Sequence, residues 1–218
     1  MTAHINGTDI YYEIHGEGRP LILLHGNGED HSIFDEAVDI LSANFACCTP
    51  DSRGHGSSAA ADRLSYTDMA EDMTALMEHL DMRDAVFCGF SDGGIVGLLA
   101  AQSERISELV VCGANLDPSG VKLHWRRVFE REWRQTRNEL TGLMRREPHI
   151  SYGRLHRIKA RTLVAAGSRD LIREEQTRRI ARMIPGAKLK ILAGETHGSY
   201  VVHSRRIADI IMEFTGRS

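Results

Sequence analysis

Gly89-Phe90-Ser91-Asp92-Gly93 has the spacing G-x-S-x-G, and its central hydroxyl is a candidate nucleophile. A serine hydroxyl attacks a carbonyl only after a base removes its proton, and the base works only when a third group holds it in one tautomer. The spacing alone arises by chance in roughly one such chain in ten, so its neighbours decide. Ala85-Val-Phe-Cys-Gly89 reads as a buried strand and Gly94-Ile-Val-Gly-Leu-Leu-Ala-Ala101 as an apolar helix. That is the strand-turn-helix setting in which a serine takes strained dihedrals and flanking glycines avoid clashes. The two partners are sought at the carboxyl ends of later strands, where an open α/β sheet presents its site. Asp170 follows the strand signal 162–166 through Gly167-Ser168-Arg169, and His197 follows 189–192 through Ala193-Gly194-Glu195-Thr196. Asp117, behind Gly113-Ala114-Asn115-Leu116, stays open as a second candidate acid. His203 falls in a helical pattern and reads as structural, and His25 and His55 read as loop packing under the site. The 11 histidines are scattered at spacings that fit neither zinc nor calcium, and no G-x-G-x-x-G follows a strand. Neither metal nor cofactor is expected.

The elements that must hold these residues alternate along the chain. Asp9–His15 alternates at period two after Asn6-Gly7, which predicts an opening antiparallel hairpin. Pro20–His25, Phe45–Thr49, Ala85–Gly89 and Leu109–Cys112 are continuous apolar runs, as strands covered on both faces require. Between them, Ile33–Leu41 and Tyr66–Leu80 carry apolar residues at helical spacing, and 95–101 is apolar throughout, so it should be the most buried helix. The pattern predicts an α/β fold: a mostly parallel, doubly wound sheet of about eight strands in one domain over 1–218. One segment departs from it. Ala114–Ala160 is 47 residues long, too long for a single crossover helix. Its apolar residues recur at three- and four-residue steps up to Pro148, which predicts a cap over about 115–158: one long helix broken near Gly142, then a short element.

Composition bounds the function. With 27 Lys and Arg against 30 Asp and Glu, the net charge of −3 argues against general affinity for nucleic acid. The apolar runs are strand-sized, so no membrane-spanning helix is expected. Met1-Thr-Ala-His-Ile-Asn-Gly7 shows no secretory signal, and Cys47, Cys48, Cys88 and Cys112 form no C-x-x-C pair, so the expectation is a reduced, cytoplasmic protein. The charge is uneven, with 12 Lys and Arg but 4 Asp and Glu in residues 121–161. Those cations read as a solvated outer helix face, with attraction of an anionic substrate or partner as the alternative. On the opposite face, Trp125, Phe129 and Trp133 are expected to roof the substrate pocket.

His25-Gly26-Asn27-Gly28, Asp51-Ser-Arg-Gly-His-Gly56, the Ser91 turn, Gly167-Ser-Arg-Asp170 and Gly194-Glu-Thr-His197 occur in the order seen in the α/β-hydrolase superfamily, which the chain resembles over its whole length. The resemblance implies Ser91 as nucleophile, Asp170 as acid, His197 as base, and the backbone N–H groups of Asn27 and Asp92 as an oxyanion hole. Ser-Asp-Gly-Gly-Ile and Cys112-Gly-Ala-Asn115 look like the valacyclovir-hydrolase-like branch, where the acid after the nucleophile binds a substrate α-ammonium. For Asp92 that reading stands beside a simpler one, an acidic residue favouring a helix N-terminus. The function this implies is hydrolysis of small carboxylic esters, α-amino-acid esters among them, through an acyl-enzyme. Carbon–carbon bond hydrolysis, aminopeptidase chemistry and a non-catalytic ligand-binding role are the alternatives.

Overall fold

The computed structural model describes residues 1–217; Ser218, the last residue of the expected domain, lies outside them. Among the described residues eight strands form one sheet: β1 (Thr2–Ile5), β2 (Thr8–His15), β3 (Arg19–Leu24), β4 (Phe45–Pro50), β5 (Ala85–Phe90), β6 (Ile106–Cys112), β7 (Arg161–Gly167) and β8 (Lys188–Leu192). Their spatial order is β1-β2-β4-β3-β5-β6-β7-β8. The opening hairpin pairs β1 with β2, and β2 meets β4 antiparallel. From β4 onward neighbouring strands are parallel. The sheet is therefore mostly parallel, and its central strands must be covered on both faces.

Period-two alternation divides them. Ile22 and Leu24 face α2 (Tyr66–His79), α3 (Asp92–Ala100) and α7 (Glu174–Met183), whereas Leu21 and Leu23 face α1 (Asp35–Leu41) and α8 (Arg206–Thr215). All four leucine and isoleucine side chains are fully buried. Every residue of α3 is buried, as its lack of polar residues after Asp92 requires. Residue 203 lies outside any helix: it takes φ 46° in a turn before α8, a correction to the helical pattern read there.

The segment between β6 and β7 forms α4 (Leu123–Thr136), α5 (Glu139–Arg146) and α6 (Tyr152–His156). The expected break near Gly142 lies earlier, at Arg137–Asn138. Arg137 takes the left-handed φ of 54°, and the Asn138 side chain accepts from the Leu140 N–H to start α5. Gly142 sits inside α5, where an added Cβ would crowd the Trp133 Nε1 at 3.3 Å. The cap is tied to the strand-end loops through backbone bonds from Lys122 N–H to the Leu171 carbonyl (2.9 Å) and from Arg173 N–H to the Gly120 carbonyl (2.8 Å).

Candidate active site

Register places the site. Leu24 pairs with Gly89, Phe90 with Cys112, Cys112 with Ala165 and Gly167 with Leu192, so the loops after β3, β5, β7 and β8 leave one edge of the sheet side by side. Ser91 is the single residue between β5 and α3. Its φ of 53° and ψ of −113° put a non-glycine residue in a costly region of backbone space, on the order of 1–3 kcal/mol. The surroundings impose it: the Ser91 N–H donates to the Cys112 carbonyl at 2.7 Å, and α3 begins at once. A Cβ on Gly89 would collide with the Gly93 carbonyl, and one on Gly93 with the carbonyl of Leu24. Glycine at both positions lets strand, turn and helix approach closely enough to expose the hydroxyl at the sheet edge.

His197 lies between Ser91 and Asp170. Its Nε2 is 2.9 Å from the Ser91 Oγ and its Nδ1 is 2.6 Å from the Asp170 Oδ1. The buried carboxylate only accepts, so the ring proton resides on Nδ1 and Nε2 is left to accept from the hydroxyl. Asp170 Oδ1 also accepts from the Ile172 N–H at 2.8 Å, which fixes the carboxylate plane. The two loops lock together through the Arg169 N–H on the Glu195 carbonyl and the Ser168 N–H on the Leu192 carbonyl, both 2.9 Å. Phe90 packs against the imidazole with ring centroids 4.9 Å apart. Asp117 does other work: it caps a short 3-10 turn by accepting from the Ser119 N–H at 2.8 Å, and accepts from Gln176 Nε2 at 3.2 Å. His25 is buried outside the cavity lining and braces two loops, with Nδ1 2.7 Å from the Gly26 carbonyl and Nε2 accepting from the Ser52 N–H at 3.0 Å. Burial lowers its pKa to about 4, so it stays neutral.

Opposite the hydroxyl runs the His25–Gly28 loop. The Gly26 N–H is already occupied by Glu29 Oε2 at 2.9 Å, so among this loop's donors the Asn27 N–H is the next in line. The Asp92 N–H stands in the first turn of α3, where no intrahelical acceptor exists. The Asn27 side chain bridges three elements, its Nδ2 donating to Asp92 Oδ2 at 2.9 Å and to the Leu140 carbonyl of α5 at 3.2 Å.

The cavity over Ser91 and His197 measures about 160 Å³, and three carboxyl residues, Glu29, Asp92 and Glu147, line it without any Lys or Arg. Asp92 is 6% exposed. Burial pushes its carboxyl above the ordinary range, against hydrogen bonds from Asn27 and Tyr66. Burial raises Glu29 likewise, opposed by the Gly26 N–H. Phe129 lines the cavity; Trp125 and Trp133 do not. The expected three-residue aromatic roof is corrected by the pose of α4, which buries none of its residues. Trp125 is 39% exposed, and the Trp133 ring stacks with the guanidinium groups of Arg137 (4.1 Å) and Arg145 (3.8 Å). Glu29, Tyr66 and Glu147 carry no local sequence signal, because they reach the cavity from a loop, a helix start and the end of α5.

Residues 19–149 match the alpha/beta hydrolase fold family, and the chain belongs to that family. The pimeloyl-[acyl-carrier protein] methyl ester esterase of Vibrio cholerae is 32% identical over 108 residues, 49% of this chain and 41% of its own length. The matched stretch is thus well under two thirds of that relative. Among solved structures, the enol-lactonase of Burkholderia xenovorans LB400 superposes with a TM-score of 0.82 at 23% identity, covering 100% of both chains. An esterase from Exiguobacterium antarcticum reaches 0.86 at 19% identity over 99% of each chain. At those identities the superpositions show a shared fold. Among the described residues no helix is long and apolar enough to cross a membrane, and no cluster of three or more metal-ligating side chains occurs.

Proposed function

We propose that the protein is a serine hydrolase that cleaves small carboxylic esters through an acyl-enzyme on Ser91. The observation that carries this reading is His197 within hydrogen-bonding reach of both Ser91 Oγ, at 2.9 Å, and Asp170 Oδ1, at 2.6 Å. His197 Nε2 takes the hydroxyl proton as Oγ adds to the ester carbonyl, and the resulting imidazolium is balanced by Asp170. The oxyanion accepts from the backbone N–H groups of Asn27 and Asp92, each worth roughly 3–4 kcal/mol in such sites. The imidazolium then protonates the departing alcohol, leaving Ser91 acylated. Water attacks the acyl carbon while His197 takes its proton, and collapse returns the carboxylic acid and free Ser91.

Three carboxyl groups without a Lys or Arg favour substrates that are cationic beside the reacting carbonyl, and α-amino-acid esters fit. A substrate ammonium would compensate the buried Asp92 carboxylate, which otherwise opposes charge developing on the oxyanion. The fold and these groups would also serve carbon–carbon bond hydrolysis, but a cavity of about 160 Å³ favours small esters.

Ser91→Ala should lower kcat on p-nitrophenyl acetate by several orders of magnitude with an unchanged circular dichroism spectrum, and a fluorophosphonate should label wild type at Ser91 alone. Undiminished turnover in that variant sinks the assignment. Asp92→Asn should reduce kcat/KM for alanine esters far more than for matched propionate esters; equal losses would leave Asp92 as a helix-terminus residue.

A further inference from the structure

The cavity over Ser91 is bounded on its cap side by Val121, Phe129 and Met144. The same three side chains also line a neighbouring groove of about 280 Å³ on the cap. The groove's charge is opposite to the cavity's. Arg126, Arg127 and Arg145 line it against one carboxylate, Glu130. Glu130 is committed elsewhere, accepting from Arg134 Nε at 2.7 Å and Arg145 Nε at 2.6 Å, which also holds its carboxyl below the usual range. Arg145 is committed too, stacked 3.8 Å over Trp133. Lys122, the cation nearest the mouth in sequence, donates to the Asp170 carbonyl. Arg126 and Arg127 remain exposed, with no ion pair among the described residues.

We propose that this groove is a second subsite, in which Arg126 and Arg127 hold an anionic group, a carboxylate or phosphate, at the far end of a substrate whose ester lies at Ser91. The proposal rests on the hydrolase reading above. Guanidinium forks suit planar or tetrahedral oxyanions through paired N–H bonds. Val121, Phe129 and Met144, the apolar side chains common to both cavities, would lie along a hydrocarbon spacer between the two ends. Polarity would then set the direction of binding: an anion is repelled by Glu29, Asp92 and Glu147 inside and drawn to the rim outside. The experiment places the charge on the acyl end in one arm and on the alcohol end in the other.

The test compares half-esters of linear dicarboxylic acids with neutral methyl esters of equal chain length, and acetate esters of ω-hydroxy acids or ω-phosphoalkanols with those of plain alkanols. At one chain length, on one side of the ester, the charged compound should exceed its neutral match in kcat/KM by about tenfold, chiefly through KM, as two exposed charge-assisted contacts would supply. Arg126→Glu with Arg127→Glu should abolish or invert that ratio, and added 0.5 M sodium chloride should erode it by screening (about 4 Å Debye length). Arg131→Glu, on the same helix outside the groove, should leave the ratio intact. A ratio at or below one for every length on both sides, or a ratio indifferent to the double substitution, overturns the subsite. If neutral esters are not turned over at all, the hydrolase reading fails instead. Binding of linear dicarboxylate monoamides by calorimetry then tests the groove separately, and equal affinity in wild type and the double variant rejects it.

Discussion

Asp170→Asn puts a number on the contribution of the buried carboxylate. Asp170 Oδ1 accepts from both His197 Nδ1 and the Ile172 N–H, whereas Oδ2 is buried without a hydrogen-bond partner. An asparagine must therefore keep its oxygen at the Oδ1 position, because an amide NH2 there would face the Ile172 N–H donor to donor. In that orientation the imidazole keeps its proton on Nδ1 and Nε2 still accepts from Ser91. What would be lost is the negative charge beside the imidazolium that the proposed mechanism forms on deprotonating Ser91. Opposite unit charges about 4 Å apart attract by about 4 kcal/mol at an effective dielectric constant of about 20. At about 1.36 kcal/mol per decade, kcat should fall about a thousandfold. The amide nitrogen, placed where Oδ2 has no partner, should also lower stability by about 1–3 kcal/mol. Initial rates on p-nitrophenyl acetate near pH 7.5, with thermal melts as the control for folding, give both quantities. Asp117→Asn belongs in the same experiment, since Asp117 caps a turn and pairs with Gln176, and should leave kcat within a few-fold of wild type. A folded Asp170→Asn enzyme within tenfold of wild type, or the large loss appearing at Asp117, refutes the assignment of the acid.

Asn27→Ala removes the amide that joins Asp92 to the Leu140 carbonyl, and should lower kcat about five- to a hundredfold while speeding hydrogen exchange in 139–146. Unchanged exchange there would mean the cap is held by its other contacts. Gly93→Ala sets a methyl group against the Leu24 carbonyl and should destabilise the protein by more than about 3 kcal/mol, seen as a lowered melting temperature or loss of folded protein. Burial raises the folded-state pKa of Asp92, so its ionised form costs stability above that pKa and the cost vanishes as pH falls below the ordinary carboxylate value. Asp92→Asn should accordingly gain on wild type in melting temperature as pH rises through the window above pH 3.8, and lose that advantage in more acidic buffer. A gap that widens on acidification contradicts a raised pKa.

The apolar runs at 20–25, 45–49, 85–89 and 109–112 announce strands covered on both faces, because only such strands can do without alternation. The turn around Ser91 is legible for a similar reason: G-x-S-x-G between an apolar strand and an apolar helix leaves the chain few other ways to turn. Where the strands end, the loops bearing Asp170 and His197 must lie, so three candidate residues can be read without coordinates. Cap details are less legible. Apolar residues at helical spacing in 121–144 imply burial, but α4 packs mainly against α5 and buries none of its residues, so Trp125 stays exposed and Trp133 stacks with arginines. The break in the cap follows from Arg137 in a left-handed conformation and the Asn138 cap, while the more conspicuous Gly142 stays inside a helix.

What the sequence determines by itself is the order of the elements and the positions of Ser91, Asp170 and His197 at strand ends, since burial pattern and turn chemistry are local properties of the chain. Tertiary structure alone decided that Glu29, Asp92 and Glu147 share one cavity and that Arg126 and Arg127 line the groove beside it. Those residues come from a loop, a helix start and two cap helices far apart in the chain. Their charges acquire a common meaning only when packing brings them around neighbouring spaces.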